Sequence, residues 1–429
     1  EIAKAERDKL NAFWYPSLQS TGAFVHMSEK IEVKQPLSQF TDPAKDFVHS
    51  IVPDDKFISS ILDNIGAHTL TFPLLERNLT TIDANVMWPL FTGGKRIFAS
   101  RIGNRMVDLA KAGREEAGAT LQSELVETYY ALRLAQRVVD VREQTFLGLQ
   151  KHYRNAMKLE KNGMINKAER LFAQVTMDEA RRELESARKD LNVAQNALKV
   201  LLNVEDATSI NPSSPLFMNH DLPDELYFKN LVSTGNYIVS KLRIQEVMAD
   251  NQLKISKSAY IPTIALFGKQ TLYADNLPKN LMPRTLIGVG FTWNIFDGLN
   301  REANIRQARL TKQTLQLGRE KVQNELGVLV DKLYSEIQNA KDDVAALNTT
   351  IEMSRELVRI RKKSFQEGMA TSTDVIDAET MLSKVQIAFL LAYYKYDVAL
   401  ASLLSTCGMP ESFWQYSRTG QTENFIFGK

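Results

Sequence analysis

The sequence lacks several features that would settle its class at once. A single cysteine, Cys407, excludes an internal disulfide and any site built from several cysteines. We expect this thiol to lie buried at the end of a helix. The longest apolar run, residues 388–394, is far shorter than the roughly 18 residues that suggest a membrane-spanning helix. This does not exclude a membrane protein, because the strands of a membrane barrel leave a much weaker signal per segment in the sequence.

Signals for nucleic-acid binding and for catalysis are also missing. The net charge is +2, so there is no strongly basic field of the kind that nucleic-acid-binding proteins carry. The run Thr92-Gly93-Gly94-Lys95 lacks the spacing of a phosphate-binding loop. His26, His49 and His68 are read as dispersed surface residues rather than a metal site. We therefore expect no enzyme activity, no cofactor and no metal.

What the sequence does contain is one long segment twice. Residues from Trp88 to about Asn203 match those from Trp293 to about Gly408 at a constant shift of 205 positions, without a gap. Matched pairs include Trp88 with Trp293, Phe91 with Phe296, Gly93 with Gly298, Arg96 with Arg301, and Gly163 with Gly368. Solenoids need at least three stacked units, so two copies predict a pseudo-symmetric protomer instead.

Each copy begins with a long stretch that predicts one helix. Residues 94–161 and 300–367 contain no proline. In the second copy two apolar ladders step by seven, as a coiled-coil seam does: Leu326, Leu333, Ala340 and Leu347, with Val330, Ile337, Val344, Ile351 and Val358. The first copy places Leu125, Leu132, Val139, Phe146 and Tyr153 on its stronger ladder. About 67 residues at about 1.5 Å each make a helix about 100 Å long.

A glycine turn then closes each long helix. The turns are Asn162-Gly163-Met164 and Glu367-Gly368-Met369, and glycine readily takes the left-handed conformation that ends a helix. Second helices are predicted from about 166 to 202 and from about 373 to 405. Thr371, Ser372 or Thr373 can cap the latter, with Asp374 in its first turn. Each copy is therefore an antiparallel helical hairpin.

Strands are predicted before each long helix. Ile82, Val86 and Trp88 lie on the apolar face of an alternating segment, as Ile287, Val289 and Trp293 do in the other copy. Fainter strands begin near residues 17 and 263. The first strand pair carries about 41 extra residues, roughly 27–70, in which residues 54–64 are a possible short helix.

These elements divide the chain into seven segments. They are a first strand pair at 14–91 with its insert at 27–70, a helical hairpin at 94–203, a connector at 204–235, a helix at 236–260, a second strand pair at 261–297, a second hairpin at 299–408 and a C-terminal segment at 409–429.

Four strands leave two interpretations open. They cannot close a barrel, and open sheet edges are not tolerated in lipid, so several chains would have to share one barrel. Three chains would give 12 strands, an even number within the known range. Trp88 and Trp293 would then anchor the aromatic belts at the membrane interface. The alternative is a soluble sheet packed on helices, with both tryptophans in its core.

At this point the sequence resembles the TolC family of bacterial outer-membrane efflux proteins. The resemblance is carried by the repeat, by the strand-to-helix segment Trp293-Asn294-Ile295-Phe296-Asp297-Gly298, and by the second turn. From Phe365 through Gly368 to Ala378 that turn is similar to the family pattern F-x-x-G-x-x-[ST]-x-x-D-V-x-D-A. The resemblance covers about residues 1–410, apart from the insert.

The resemblance implies a mixed fold and a location. A homotrimer would form a 12-stranded barrel in the outer membrane of a Gram-negative bacterium, continued by a periplasmic tunnel of helices. The turns would form the periplasmic tip that contacts an adaptor protein, through Asn162, Gly163, Met164, Gly368, Met369, Ala370 and Thr371. The connector and the C-terminal segment would lie at the tunnel's equator, and the insert at the external mouth.

The resemblance also implies that Asp374 and Asp377 constrict the resting tunnel. Residues three apart share a helix face, and three copies would place six carboxylates around one axis, where like charges raise one another's pKa and attract cations. The open alternatives are a helix N-terminal charge for Asp374 and a solvated position for Asp377. The first copy departs from the pattern, with Glu169 and Phe172 there.

The functional expectation is an outer-membrane exit duct of a tripartite efflux or type I secretion system. It would be a passive channel gated at its tip, working with an adaptor and an inner-membrane pump of the RND, ABC or a similar class. The alternative is a soluble coiled-coil scaffold. The substrate is not readable. The chain opens inside a helix-like stretch, which predicts that preceding residues, including any lipid-attachment cysteine, have been removed.

Overall fold

A computed structural model describes residues 1–51, 56–205, 210–276 and 283–423. The described chain forms two compact units. The first combines residues 1–107 with 248–311, and the second combines residues 108–247 with 312–429. Each unit therefore draws on both copies of the repeated segment.

The helices and strands follow one another as the sequence predicts for most of the chain. The helices are α1 (Ile2–Asn11), α2 (Ser38–Ile51), α3 (Lys56–Gly66), α4 (Lys95–Lys161), α5 (Lys167–Leu202), α6 (Glu225–Gly235), α7 (Tyr237–Ser258), α8 (Asn300–Gln366), α9 (Ser372–Thr406) and α10 (Phe413–Thr419). The strands are β1 (Ser17–His26), β2 (Ile31–Pro36), β3 (Thr69–Leu75), β4 (Asn78–Phe91), β5 (Phe217–Met218), β6 (Thr263–Asp275), β7 (Thr285–Thr292) and β8 (Gln421–Thr422). Helices α4 and α8 each span 67 residues.

The first unit is built on a four-stranded antiparallel sheet. Its strand order is β1-β4-β6-β7, so β1 and β7 are the edge strands. Ser17 pairs with Met87, and further across the sheet Trp88 pairs with Leu266, which in turn pairs with Val289. Both predicted strand pairs therefore belong to one sheet, and this sheet leaves two edges open.

The insert is longer than the sequence predicts. Its expected end was Leu70, but Thr69–Leu75 forms β3 and pairs with β2 rather than with the main sheet. The hydrogen bonds of this segment are made within the insert, which therefore runs to the start of β4. Helix α3 matches the short helix expected at 54–64, except that residues 52–55 lie outside the described part of the chain.

In the second unit, the coiled-coil seam predicted for α8 is confirmed. Val330 and Ile337 are fully buried, and Leu326, Leu333 and Ala340 are buried with them. The remaining ladder positions are buried or lie against this core: Val344, Leu347, Ile351 and Val358. The period of seven thus located the inward face of this helix correctly.

In α4 the predicted ladder is only partly correct. Leu132 is buried, and Phe146 and Tyr153 are partly buried against the core. The fully buried apolar stripe, however, runs through Val126, Val141, Leu149 and Ala156, one to three residues beyond the predicted positions. Three polar side chains complete that stripe: Arg133, Thr145 and His152. Each makes hydrogen bonds, which allows its burial, and a count of apolar residues could not include it.

Helix α9 contributes more residues to the main core of the second unit than any other helix or strand. Eighteen of its 35 residues are buried, among them Tyr393, Tyr396 and Leu400. By length and composition alone α9 could cross a membrane, but 61% of its most apolar stretch is buried inside the protein, as in the core helix of a globular unit. Cys407 follows directly and is buried as predicted, and burial raises the pKa of its thiol to about 12.

The connector and the C-terminal segment are joined to each other. Strand β5 of the connector pairs with β8, and the Glu423 backbone N–H donates to the Leu216 carbonyl at 3.1 Å. The Glu423 carboxylate is fully buried and accepts hydrogen bonds from Arg133 at 2.8 Å and Arg137 at 3.1 Å. Two helix-borne guanidinium groups therefore hold the end of the described chain in place.

We predict that Glu423→Gln lowers the stability of the second unit by about 3 kcal/mol, because it removes the buried carboxylate that Arg133 and Arg137 share. The midpoint of thermal unfolding, followed by circular dichroism, measures this. Asp140→Asn is the matched control, since Asp140 pairs with Arg137 but is 40% exposed, and it should cost no more than about 1 kcal/mol. Equal midpoints for the two variants would show that Glu423 does not hold the segment.

Candidate functional site

The four-stranded sheet has one apolar face, and that face is exposed. Val86, Trp88 and Ile82 lie on it in β4, and the pairing register places Ile287 and Val289 of β7 on the same side. Phe291 and Val289 are 74% and 64% exposed. Neighbouring exposed apolar side chains of this kind mark a surface that meets lipid or protein.

The opposite face of the sheet is polar around Asp83, and Met87 and Phe267 lie further along the same face. Asp83 lies at its centre, accepts a hydrogen bond from Thr271 Oγ1 at 2.7 Å and pairs with Lys269 Nζ at 2.8 Å. Nearby, Asn85 Nδ2 donates to Thr21 Oγ1 at 2.9 Å. A sheet with an apolar exposed face and a bonded polar face is the arrangement of a barrel with a polar interior.

Trp88 and Trp293, predicted as membrane-interface residues, occupy equivalent positions at the ends of β4 and just beyond β7. The Trp88 indole N–H donates to the Trp14 carbonyl at 3.1 Å, and that of Trp293 donates to the Tyr260 carbonyl at 3.2 Å. The side chains are 40% and 51% exposed. Each indole therefore has its polar group satisfied inside the protein and leaves part of its apolar ring outside, so neither tryptophan is a core residue.

An arginine completes each of these two junctions. The Arg96 guanidinium lies 4.5 Å from the Trp14 ring centre, and that of Arg301 lies 4.6 Å from the Tyr260 ring centre. Arg96 also donates to the Leu90 carbonyl at 2.7 Å.

Arg301 makes the equivalent contacts in the second junction, to the carbonyls of Asn294 and Ile295, both at 2.9 Å. Between strand and helix, Gly93 and Gly298 take positive φ angles of 60° and 69°. The same contacts thus fix the turn from strand to long helix in both halves.

The turns that end the long helices have the predicted glycine geometry. Gly163 and Gly368 have φ angles of 72° and 75°. Met164 N–H donates to the Leu159 carbonyl at 2.9 Å, and Met369 N–H donates to the Ser364 carbonyl at 2.8 Å. These bonds satisfy carbonyls that the helix end leaves unpaired. Met164 and Met369 are 57% and 76% exposed, so both turns present a flexible apolar side chain to the outside.

Asp374 has a structural role in the first turn of α9. It forms a capping box with Thr371, in which Asp374 N–H donates to Thr371 Oγ1 at 3.2 Å and Thr371 N–H donates to Asp374 Oδ2 at 2.9 Å. Hydrogen bonds from Thr371, with the nearby Arg361, hold the pKa of the Asp374 carboxyl below its usual range. Asp377, by contrast, is exposed and pairs with no other residue in the described ranges.

Three residues outside the predicted site bind the start of α9 to the first hairpin. The Ser372 N–H donates to Glu169 Oε2 at 3.1 Å, and Ser372 Oγ lies 2.7 Å from His152 Nε2. The His152 ring lies against that of Phe365, with 4.6 Å between the ring centres. Burial, with a smaller effect of Lys362, lowers the pKa of His152 to about 4. A neutral histidine therefore sits in the joint between the hairpins.

The sequence could have indicated some of these residues. Arg96 and Arg301 match across the repeat, but neither their partners nor their role follow from that match. His152 and Ser372 are 220 positions apart, and no local pattern connects them. His26 and His68 are exposed, the His49 side chain is outside the described part, and no three potential metal ligands cluster in that part.

Sequence comparisons show which family model this chain matches and which proteins it is similar to. The family model described as outer membrane efflux protein matches residues 76–204 and 238–409. Outer membrane efflux protein BepC of Brucella suis is 23% identical over 66% of this chain and 62% of its own length. Alkaline protease secretion protein AprF of Pseudomonas aeruginosa is 22% identical over 66% and 60%. The chain therefore matches less than two thirds of the length of either relative.

Solved structures share the fold. The outer membrane protein VceC of Vibrio cholerae superposes with a TM-score of 0.74 at 15% identity, covering 95% of this chain and 90% of that one. The Neisseria gonorrhoeae MtrE outer membrane channel gives 0.71 at 16% identity, covering 95% and 84%. The sheet, the long helices and their hairpins are thus those of solved outer-membrane channels.

We predict that the joint at the start of α9 weakens between pH 6.5 and 4. His152 stays neutral in the folded joint, whereas an opened joint takes up a proton below the ordinary histidine pKa of 6.5. The stabilisation is complete above pH 6.5 and lost as the pH falls to about 4. Amide-exchange protection of residues 372–376, measured at both pH values, tests this.

His152→Gln keeps a hydrogen-bonding partner for Ser372 and removes the titration, so its protection should depend less on pH. His220→Gln is the control, because His220 is an exposed histidine of the same unit. If the wild type, His152→Gln and His220→Gln lose protection equally on acidification, His152 is not the responsible group.

Proposed function

Because this chain belongs to the outer membrane efflux protein family, we propose that it is the passive exit duct of a tripartite efflux or type I secretion system. The protein resides in the outer membrane of a Gram-negative bacterium. At the level of the family it is a transport protein and not an enzyme. The observation that carries the proposal is the sheet with an exposed apolar face, a hydrogen-bonded polar face and two open edges.

We propose a homotrimer as the assembly that closes those edges. In lipid every backbone N–H and C=O needs a partner, and the outer edges of β1 and β7 have none within this sheet. Pairing β1 of one copy with β7 of the next satisfies both edges. Three copies then close a barrel of 12 strands, with the face around Asp83 lining its interior. The repeated helical hairpins continue it as a periplasmic tunnel, which holds most of the mass.

Trp88 and Trp293 are assigned to the membrane interface. Their indole N–H groups are bonded to backbone carbonyls, and their rings are exposed beside the apolar face of the sheet. Indole rings favour the interfacial layer of a bilayer. The two arginine junctions beside them, at Arg96 and Arg301, would mark the level at which barrel strands pass into tunnel helices.

The two glycine turns are assigned to the tip that contacts the adaptor. Asn162, Gly163, Gly368 and Thr371 are exposed, and Ala370 is half-buried. Met164 and Met369 add exposed methionines, which adapt readily to a partner's surface. The adaptor in turn joins the duct to an inner-membrane pump of the RND, ABC or a similar class. The connector at 204–235 and the segment at 409–429 form the equatorial region.

Asp374 and Asp377 are assigned to the resting constriction, in which they have different roles. Asp374 is engaged with Thr371 and Arg361, so it contributes to closure by fixing the first turn of α9. Asp377 is exposed on the same helix, and three copies would bring three such carboxylates to one axis. This favours Asp377 as the group that meets a passing cation.

The names of the relatives refer to two classes of substrate. The name of BepC refers to efflux and that of AprF to the secretion of a protease, and the chain is similar to both. The runner-up function, a soluble scaffold, conflicts with the exposure of Phe291 and Val289 on the sheet. A scaffold would have to cover that face with another protein.

We predict that the purified chain requires detergent and has the mass of three copies in it. In planar bilayers it should form channels whose conductance is steady over time. Static light scattering corrected for bound detergent gives the mass, and single-channel recording gives the conductance. A protein that stays monodisperse as a monomer without detergent and forms no channels would contradict the duct and favour the scaffold.

We further predict that Asp377→Ala weakens block by multivalent cations added to the periplasmic side, with little change in stability. Asp374→Ala should instead raise the resting conductance, because it removes the capping box. Glu356→Ala is the control, since Glu356 is an acidic residue of α8 bonded only to its neighbour Arg359 among the described residues. Currents and block unchanged in both aspartate variants would remove the gate assignment.

A further inference from the structure

The helical part of the insert has its apolar side chains on the outside. On α3, Ile61 and Ile65 are 43% and 44% exposed, and they lie one turn apart on one side of the helix. The adjoining side of the helix, which packs on α2, carries Ser59, Leu62 and Gly66, all half-buried. A helix of a water-soluble unit normally buries its larger apolar side chains and exposes the small and polar ones.

The contact between α2 and α3 is narrow, and Leu62 lies in it beside small and polar side chains. A Cβ at Gly66 would lie 2.5 Å from Thr41 Oγ1, so the two helices touch closely at that point. Thr41 is buried, and an ion pair between Lys45 and Asp63 joins the helices further along. The isoleucines are therefore not a displaced core, because the space between the helices is already filled.

The ribbon of β2 and β3 repeats this arrangement. Val33 lies directly opposite Phe72, and the two are 48% and 53% exposed. Ile31 and Leu70 share that face and are each 45% exposed. The other face carries Lys34 opposite Thr71. An isolated two-stranded ribbon is marginally stable in water, so an apolar ribbon face of this kind needs a cover.

The topology places a neighbouring copy beside the insert. The insert connects β1 to β4, and β1 is an edge strand of the sheet. Its last residue, His26, pairs with the first of β4, Asn78, so the insert emerges at the end of the sheet opposite to the long helices. If β1 pairs with β7 of the next copy, as the proposed trimer requires, the inserts of adjacent copies are brought together at that end.

The charge of the insert argues against a lipid surface as the cover. Residues 27–75 carry seven aspartates and glutamates against four lysines and no arginine. Segments that bind the anionic head groups of membranes carry clustered lysines and arginines instead. A net acidic segment with apolar outer faces fits a protein surface better than a phosphate-bearing one.

We propose that the apolar outer faces of the insert, Ile61 with Ile65 and Val33 with Phe72, pack on the inserts of neighbouring copies and form a cap over the external mouth. This rests on the proposed trimer. Three inserts meeting by these faces bury the exposed side chains of each, and they lie across the exit of the duct rather than in its wall. The cap is a second constriction of the duct, at its external mouth.

A fluorescent probe at Ile61→Cys tests which surface covers the insert. The native Cys407 is fully buried, so a maleimide-linked bimane reacts at the introduced thiol alone. The labelled protein is placed in vesicles of phosphatidylcholine and phosphatidylglycerol, with iodide as the aqueous quencher and nitroxide-bearing lipid as the membrane quencher. The control is Asn64→Cys, an exposed polar position on the same helix.

We expect the probe at residue 61 to be shielded from both quenchers, with a quenching constant for iodide several-fold below that at residue 64. Quenching by nitroxide lipid would assign the cover to the membrane, and quenching by iodide equal to that at residue 64 would show that nothing covers the face. Either result overturns the cap.

A second measurement avoids the bulk of the label. The double substitution Val33→Ser with Ile61→Ser should lower the temperature at which the trimer dissociates in dodecyl sulfate and raise the single-channel conductance, relative to Asn64→Ser. An unchanged temperature and conductance would contradict the cap while leaving the duct intact. A protein that forms no trimer at all fails the proposed function instead, and the mass measurement in detergent shows this independently.

Discussion

The four-stranded sheet cannot pair all of its own backbone hydrogen-bonding groups, and the other elements are arranged around that requirement. Four strands expose an apolar face and end in two edges whose outer N–H and C=O groups need partners. In water, either problem can be solved by solvent or by a covering helix. In lipid neither can, and closure with further copies is the only solution that removes both at once. The trimer proposed above would provide that closure.

The same contacts form in both halves of the chain where the strand ends and the long helix begins, although the two sequences differ. In each, a tryptophan indole binds the carbonyl of an aromatic residue whose ring lies under an arginine. The ring is Trp14 in one half and Tyr260 in the other. What persists between the halves is thus the geometry of the contact, because a positive group over an aromatic face tolerates either ring.

Much of the fold could be predicted from residues alone, since it follows from periodicity. The seam at Val330 and Ile337, the glycine turns at Gly163 and Gly368 and the alternating strands before the long helices are all encoded within a few turns of chain. The buried stripe of α4 could not be placed, because His152 and Arg133 are buried through hydrogen bonds to residues more than 200 positions away. The sequence leaves two roles open for Asp374, and the structure shows the helix-capping role, with Thr371 as its partner. The end of the insert was misplaced because strand pairing with β2 leaves no local signature in Thr69–Leu75.

The contrast between α5 and α9 has a consequence for how such a chain changes over time. Six of the 36 residues of α5 are buried, against 18 of 35 in α9, and Val175, Val193 and Val200 point outward from α5. Substitutions at most positions of α5 leave the interior untouched, whereas about half of the positions of α9 lie in the packed core. Adaptation to a new partner is therefore open to the first hairpin and largely closed to the second. The two repeated segments would then accumulate substitutions at different rates, slowly in the second hairpin and faster in the first.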